Sequence, residues 1–281
     1  IQTALQHHQA GDLEQAEILY RQVIQTNSDH PVANHLIGLI ALQSGDPEQG
    51  IQHLETSIRS NPNMAATHND LGTAYQAQGR LEEAASSFRC AIDIEPANAH
   101  GHYNLGNLME LTGQLELARE EFQKAVECNP RLAEAHCRLG KVFRKMYELP
   151  AAYNTLQTAL LIQPDHAAIH NELGIVLKKM DRSHEAIEAF GTAIALDKDF
   201  GMAYLNLGNA WNDASSPEKA EPFCRRAVEL MPRHDGAHNN LGCALLAMGN
   251  LKSAAKCFKE TLALAPRSAN AHNNLAIALH R

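Results

Sequence analysis

The chain is poor in the residues that build sheets and large mixed cores. Aromatic residues make up 5% of its 281 positions, and only one is tryptophan. With hydrophobic content at 44%, burial falls to small aliphatics, chiefly Ala and Leu, which suits closely packed helices. No run of eighteen apolar residues occurs, and the opening IQTALQHHQAGD has neither a basic start nor an apolar core. That excludes a spanning helix and a secretory leader in these residues, and the expectation is a cytoplasmic protein with no membrane insertion. Cysteine is sparse and irregular: Cys90, Cys128, Cys137, Cys224, Cys243 and Cys257 form no C-x-x-C pair, so free thiols are expected. Basic residues are outnumbered, giving a net charge of -8, which argues against a nucleic-acid partner.

Catalytic signatures are missing as well. There is no G-x-S-x-G, no G-x-x-x-x-G-K and no G-x-G-x-x-G following a strand, so these residues are not expected to be an enzyme or to need a cofactor. His68, His102, His136, His170, His238 and His272 recur a whole period apart, too far to share one ion, so no metal is expected and packing is the reading for them.

What the chain does have is repetition. AHNNLG at 237–242 returns as AHNNLA at 271–276, and the same phase holds THNDLG, GHYNLG, AHCRLG, IHNELG and AYLNLG, at a period of 34 residues. Glycine fills one slot as Gly38, Gly72, Gly106, Gly140, Gly174, Gly208 and Gly242. Twelve residues later stands a small residue, Gly50 or Ala84, Ala118, Ala152, Ala186, Ala220 and Ala254, and four beyond it a larger one, as in Phe88, Phe122, Leu156 and Phe190, with Cys224 the exception. A closing proline follows in most units.

A glycine inside a helix costs about 1 kcal/mol against alanine, so its recurrence implies a neighbouring helix too close for a Cβ, with the recurrent Ala as the matching contact. Turn signals such as Gly45-Asp46-Pro47 and Ser215-Ser216-Pro217 separate two helices per unit, with Asp46 and Ser216 as candidate caps. Pro222, inside a second helix, is expected to distort it locally.

This pattern resembles the tetratricopeptide repeat family over essentially the whole chain. The resemblance implies an all-α, right-handed superhelix (α-solenoid) read as one array, with units at about 1–30, 31–64, 65–98, 99–132, 133–166, 167–200, 201–234 and 235–268, and a partial unit at 269–281. It also places the first helix of each unit on the concave side. Two slots on one face of that helix are rich in asparagine: two before the glycine (Asp70, Asn104, Arg138, Glu172, Asn206, Asn240, Asn274) and one after it (Thr73, Asn107, Lys141, Ile175, Asn209, Cys243). Asn is a mediocre helix former, and its amide complements an extended backbone. The expected function is therefore a protein-interaction scaffold whose groove grips extended peptide through Asn104, Asn107, Asn206, Asn209, Asn240 and Asn274, with Arg138 and Lys141 biasing it toward acidic ligands. The competing reading is that these amides bond one another along a solvated face.

The repeats resemble those of the recognition arm of O-linked N-acetylglucosamine transferases. The run beginning LQHHQAGDLEQAEILY is similar to the opening of bacterial proteins that join such an array to a glycosyltransferase or sulfotransferase domain. An alternative is thus the substrate-recognition arm of a transferase whose catalytic domain follows Arg281, and another is a self-assembly module forming homo-oligomers through an uncovered ninth helix. Chaperone-binding relatives use a carboxylate clamp, of which Asn104 and Arg138 match two places; Asn69, Thr73 and Glu134 depart from it.

Overall fold

The computed structural model describes residues 1–280, which form seventeen helices and no strand among the described residues. The chain divides into two compact units, 1–135 and 136–281. The first contains α1 (Gln2–Gln9), α2 (Leu13–Thr26), α3 (Pro31–Gln43), α4 (Pro47–Ser60), α5 (Ala65–Ala77), α6 (Leu81–Ile94), α7 (Ala99–Leu111) and α8 (Leu115–Cys128). Helix α9 (Ala133–Lys145) begins at the end of that unit. The second continues with α10 (Leu149–Ile162), α11 (Ala167–Lys179), α12 (Ser183–Leu196), α13 (Gly201–Asp213), α14 (Pro217–Leu230), α15 (Asp235–Ala247), α16 (Leu251–Leu264) and α17 (Ala269–His280).

Helices alternate between 13 and 14 residues from α3 to α16, so each 34-residue period is a hairpin of a shorter first helix and a longer second one. The turn inside each hairpin needs one left-handed residue. Glycine supplies it at Gly11, Gly45, Gly79, Gly113 and Gly249, whereas Tyr147 (φ 62°), Asp181 (φ 60°) and Ser215 (φ 52°) adopt it with a side chain in place. Of the two expected caps, Asp46 accepts from the Gln49 amide at 3.0 Å, but Ser216 turns its hydroxyl to the Ala214 carbonyl and caps nothing.

In most hairpins the recurrent glycine meets a different partner from the one its spacing suggested, although Gly38 does face the Gly50 carbonyl, twelve residues on, at 3.0 Å. A Cβ on Gly72 would lie 2.6 Å from the Phe88 ring, one on Gly174 2.6 Å from Phe190, and one on Gly242 2.5 Å from Phe258. The large residue sixteen positions on, rather than the Ala at twelve, is the knob that fills the glycine hole. Ala84, Ala118, Ala152, Ala186, Ala220 and Ala254 are fully buried nonetheless, and form the tight floor beside it.

Pro222 does not end or shorten α14, which spans 14 residues like the other second helices. It sits on an exposed side, where the carbonyl that loses its amide partner is left to water. Across this hairpin Gly208 meets the smaller Cys224 in place of a ring: a Cβ there would fall 2.5 Å from its Sγ and 3.2 Å from its backbone nitrogen.

Candidate functional site

At three steps along the array the first helices of neighbouring hairpins are joined by a cross-link between the same two sequence slots. The residue two before the glycine is met by the residue three before the glycine of the preceding unit, 35 positions back. Asn104 Nδ2 donates to Asn69 Oδ1 at 2.9 Å, and Asn206 Nδ2 donates to Asn171 Oδ1 at 2.8 Å. His35 Nε2 and Asp70 Oδ2, 2.7 Å apart, occupy the same two slots. A second link, 28 positions long, reaches the same slot from the end of the preceding first helix: Arg144 Nε donates to Glu172 Oε2 at 3.1 Å, and Asn212 Nδ2 to the Asn240 carbonyl at 3.0 Å.

These links use part of each amide. Asn104 and Asn206 each spend one N–H on a neighbour, which leaves a second N–H and the side-chain oxygen with further bonding capacity. Asn107 is half-buried, and its Oδ1 is inaccessible with no partner among the described residues. Asn274 Nδ2 is 3.5 Å from Cys243 Sγ. Asn206, Asn209, Asn240 and Asn274 are all half-buried on α13, α15 and α17 of the second unit, with Arg138 and Lys141, also half-buried, on α9. Asn104 and Asn107 lie on α7 of the first. Asn69 and Asn171, which complete the rungs, escaped the slot analysis because they precede the chosen slot by one residue. The signal that finds them is the offset of 35 against a period of 34.

The recurring histidines have a specific task. His68, His102, His170, His238 and His272 each place Nε2 within hydrogen-bond distance of the carbonyl of the closing proline six residues earlier, at 2.9, 3.1, 2.8, 2.9 and 3.0 Å. The imidazole thereby ties the start of a first helix to the loop that ends the preceding hairpin. Among the described residues no three His, Cys, Asp or Glu side chains converge to hold a metal ion. No helix among them is long and apolar enough to cross a membrane. All six cysteines are free thiols; burial in the α13–α14 contact pushes the Cys224 thiol up to about 12, with Cys243 and Glu221 adding to it and the Asn212 amide opposing.

Stacked helical hairpins with one cross-linked helix face define an α-solenoid repeat protein. Tetratricopeptide repeat models match residues 35–99, 69–133, 171–235 and 236–268, more than half of the chain, and the chain belongs to the tetratricopeptide repeat family. Among solved structures it is similar to one of the APC/C hetero-tetramer Cut9-Hcn1, with a TM-score of 0.74 and 18% identity, covering 94% of this chain and 52% of that one. The chain thus spans about half the length of that relative. It is also similar to pilF of Pseudomonas aeruginosa (TM-score 0.68, 20% identity, 75% of this chain and 96% of that one). A further likeness is to YrrB, described as a tetratricopeptide protein with an unusual peptide-binding site (TM-score 0.54, 21% identity, 66% and 95%). At these identities the likeness concerns the fold. Comparison with curated proteins gives no match.

Proposed function

We propose that the chain is a binding scaffold that holds extended protein segments along the face of its first helices, with the asparagine amides as the main-chain grip. The observation that carries this reading is the state of Asn104 and Asn206: each is fixed by one rung to its neighbour and still has a donor and an acceptor to offer. A side chain held in place from one side loses little further entropy when it binds from the other. The YrrB likeness supports the reading at the level of fold. In the second unit, Asn206, Asn209, Asn240 and Asn274 would grip the peptide backbone while Arg138 and Lys141 favour acidic side chains. In the first, Asn104 would do the same, and Asn107, whose oxygen is inaccessible, would offer its N–H alone.

The test uses peptides selected against the protein from a random display library. Changing Asn206, Asn240 and Asn274 together to Ala should weaken their binding by about tenfold or more, while the helical circular dichroism is unchanged. Equal affinity would remove the amides from the reading. Reversing Arg138, Lys141 and Lys145 to Glu should shift the selected sequences away from acidic residues.

A second reading, self-association, is favoured by α17, where Ile277 and Leu279 are exposed. Light scattering that shows one concentration-independent monomer mass would count against it.

A further inference from the structure

Six of the eight second helices carry a glutamate in their first turn, among them Glu14 on α2, Glu116 on α8 and Glu218 on α14. A carboxylate there is favoured by the positive end of the helix dipole. Helix α16 inverts the pattern. Its first turn holds no acid, and Lys252 stands in the position that glutamate takes on α8 and α14. Lys256 and Lys259 follow at spacings of four and three, so the three cations share one face, and all of them are exposed.

That face stands against two local forces. Lys252 lies at the unfavourable end of the dipole, and Lys252 and Lys256, four residues apart, repel each other. None of the three lysines makes an ion pair or a hydrogen bond among the described residues. Other second helices pair such charges internally. On α14, Arg225 pairs with Glu221, and Arg226 with Glu229 at 3.0 Å. On α8, Arg119 pairs with Glu116 at 2.9 Å and Lys124 with Glu121 at 2.8 Å. In a chain of net charge -8, the α16 face is therefore a local, unpaired excess of the minority sign.

We propose that the exposed face of α16 is a docking surface for an acidic, extended segment of a protein partner, whose carboxylates are received by Lys252, Lys256 and Lys259. Lysines four and three residues apart on a helix are separated by about 6 and 4.5 Å along its axis, and alternate residues of an extended chain by about 6.6 Å. Carboxylates at every second position of the segment therefore follow the row, which Glu260 closes at its far end. A membrane surface fits less well, because the positions interleaved with the lysines, Ser253 and the half-buried Cys257, offer no large apolar side chain to enter lipid. The surface lies on a second helix and does not depend on the asparagine grip of the first helices.

Acetylation of the full chain by N-hydroxysuccinimidyl acetate, followed lysine by lysine by mass spectrometry, reports occupancy, and the exposed Lys198 serves as the control. A blocked peptide with glutamate at every second position should slow acetylation of Lys252, Lys256 and Lys259 saturably, by about threefold or more, and lose that effect in about 0.5 M salt. Lys198 should be unchanged, and the same peptide with glutamine in place of glutamate should protect nothing. Lys252→Glu restores the first-turn acid and sets it four residues before Lys256, so it should raise the melting temperature and cut the protection of Lys256 and Lys259 by about half or more. Changing Arg138, Lys141 and Lys145 together to Glu should leave the protection on α16 intact, which separates this surface from the groove. The proposal is overturned if the glutamate peptide protects none of the three lysines or protects Lys198 equally, if the glutamine peptide protects as well, or if the protection survives salt. It is overturned equally if the triple variant loses the protection, if Lys252→Glu melts lower or keeps full protection, or if anionic phosphatidylglycerol vesicles protect the three lysines and the glutamate peptide does not.

Discussion

Asn206 and Asn171 stand on adjacent first helices, and the amide nitrogen of one donates to the amide oxygen of the other at 2.8 Å. The bond joins two hairpins through half-buried and buried side chains, so it contributes to stability as well as to the shape of the face that the scaffold presents. A double-mutant cycle on Asn171→Ala and Asn206→Ala is expected to give a coupling energy of roughly 0.5–1.5 kcal/mol in urea unfolding. Additive single effects would show that the rung carries no stabilisation.

The glycine holes separate two opposed effects of a methyl group. Gly72→Ala gains helix propensity but drives a Cβ to 2.6 Å from the Phe88 ring, and is expected to destabilise the protein by roughly 1–3 kcal/mol. Gly191, within α12, has nothing within 4 Å of the same added atom. Gly191→Ala is therefore expected to stabilise by about 0.5–1 kcal/mol. Urea melts of the two variants should shift in opposite directions.

Ser215 holds the turn between α13 and α14 at φ 52°, where five other hairpins have glycine. Its side chain is exposed and makes no hydrogen bond among the described residues, so nothing local offsets the left-handed strain. Ser215→Gly should raise stability by about 0.5–1 kcal/mol, the relief of strain being reduced by the greater freedom of glycine in the unfolded chain. A lower melting temperature would contradict this.

The buried thiol of Cys224 predicts an alkaline weakness. Its folded value is pushed up to about 12 from an ordinary 9.0, and that of Tyr75, buried and bonded to Glu55, up to about 12 from 10.0. In the unfolded chain both groups give up their protons sooner, so the unfolded state binds fewer protons above pH 9. The stability that each contributes is complete below its unfolded value and lost as pH rises toward 12. Urea midpoints should fall across that range, and Cys224→Ala should flatten the fall while lowering stability at neutral pH. At pH 8 iodoacetamide should label the exposed Cys128 and leave Cys224 untouched in the folded protein.

The fold was legible because a period of 34 residues repeats one set of local instructions: glycine and a large residue sixteen apart, a turn residue, a proline. Those are short-range signals, and each hairpin obeys them with its own neighbours in the chain. The partner of the glycine was misread, since spacing along two helices does not reveal which of two residues, Ala84 or Phe88, reaches across to Gly72. The candidate face was legible in its residue types and obscure in its bonding. Asn69 and Asn171 looked like ordinary polar positions until adjacent hairpins brought them beside Asn104 and Asn206.

The sequence by itself determined the helices, their lengths and their pairing, because helix periodicity, turn chemistry and the alternation of small and large side chains act over a few tens of residues. Only the tertiary structure decided which amides bond each other, Asn104 to Asn69 and Asn206 to Asn171, and how much of each remains unspent. Those outcomes depend on distances between side chains a full repeat apart, which no local pattern specifies and which packing alone sets.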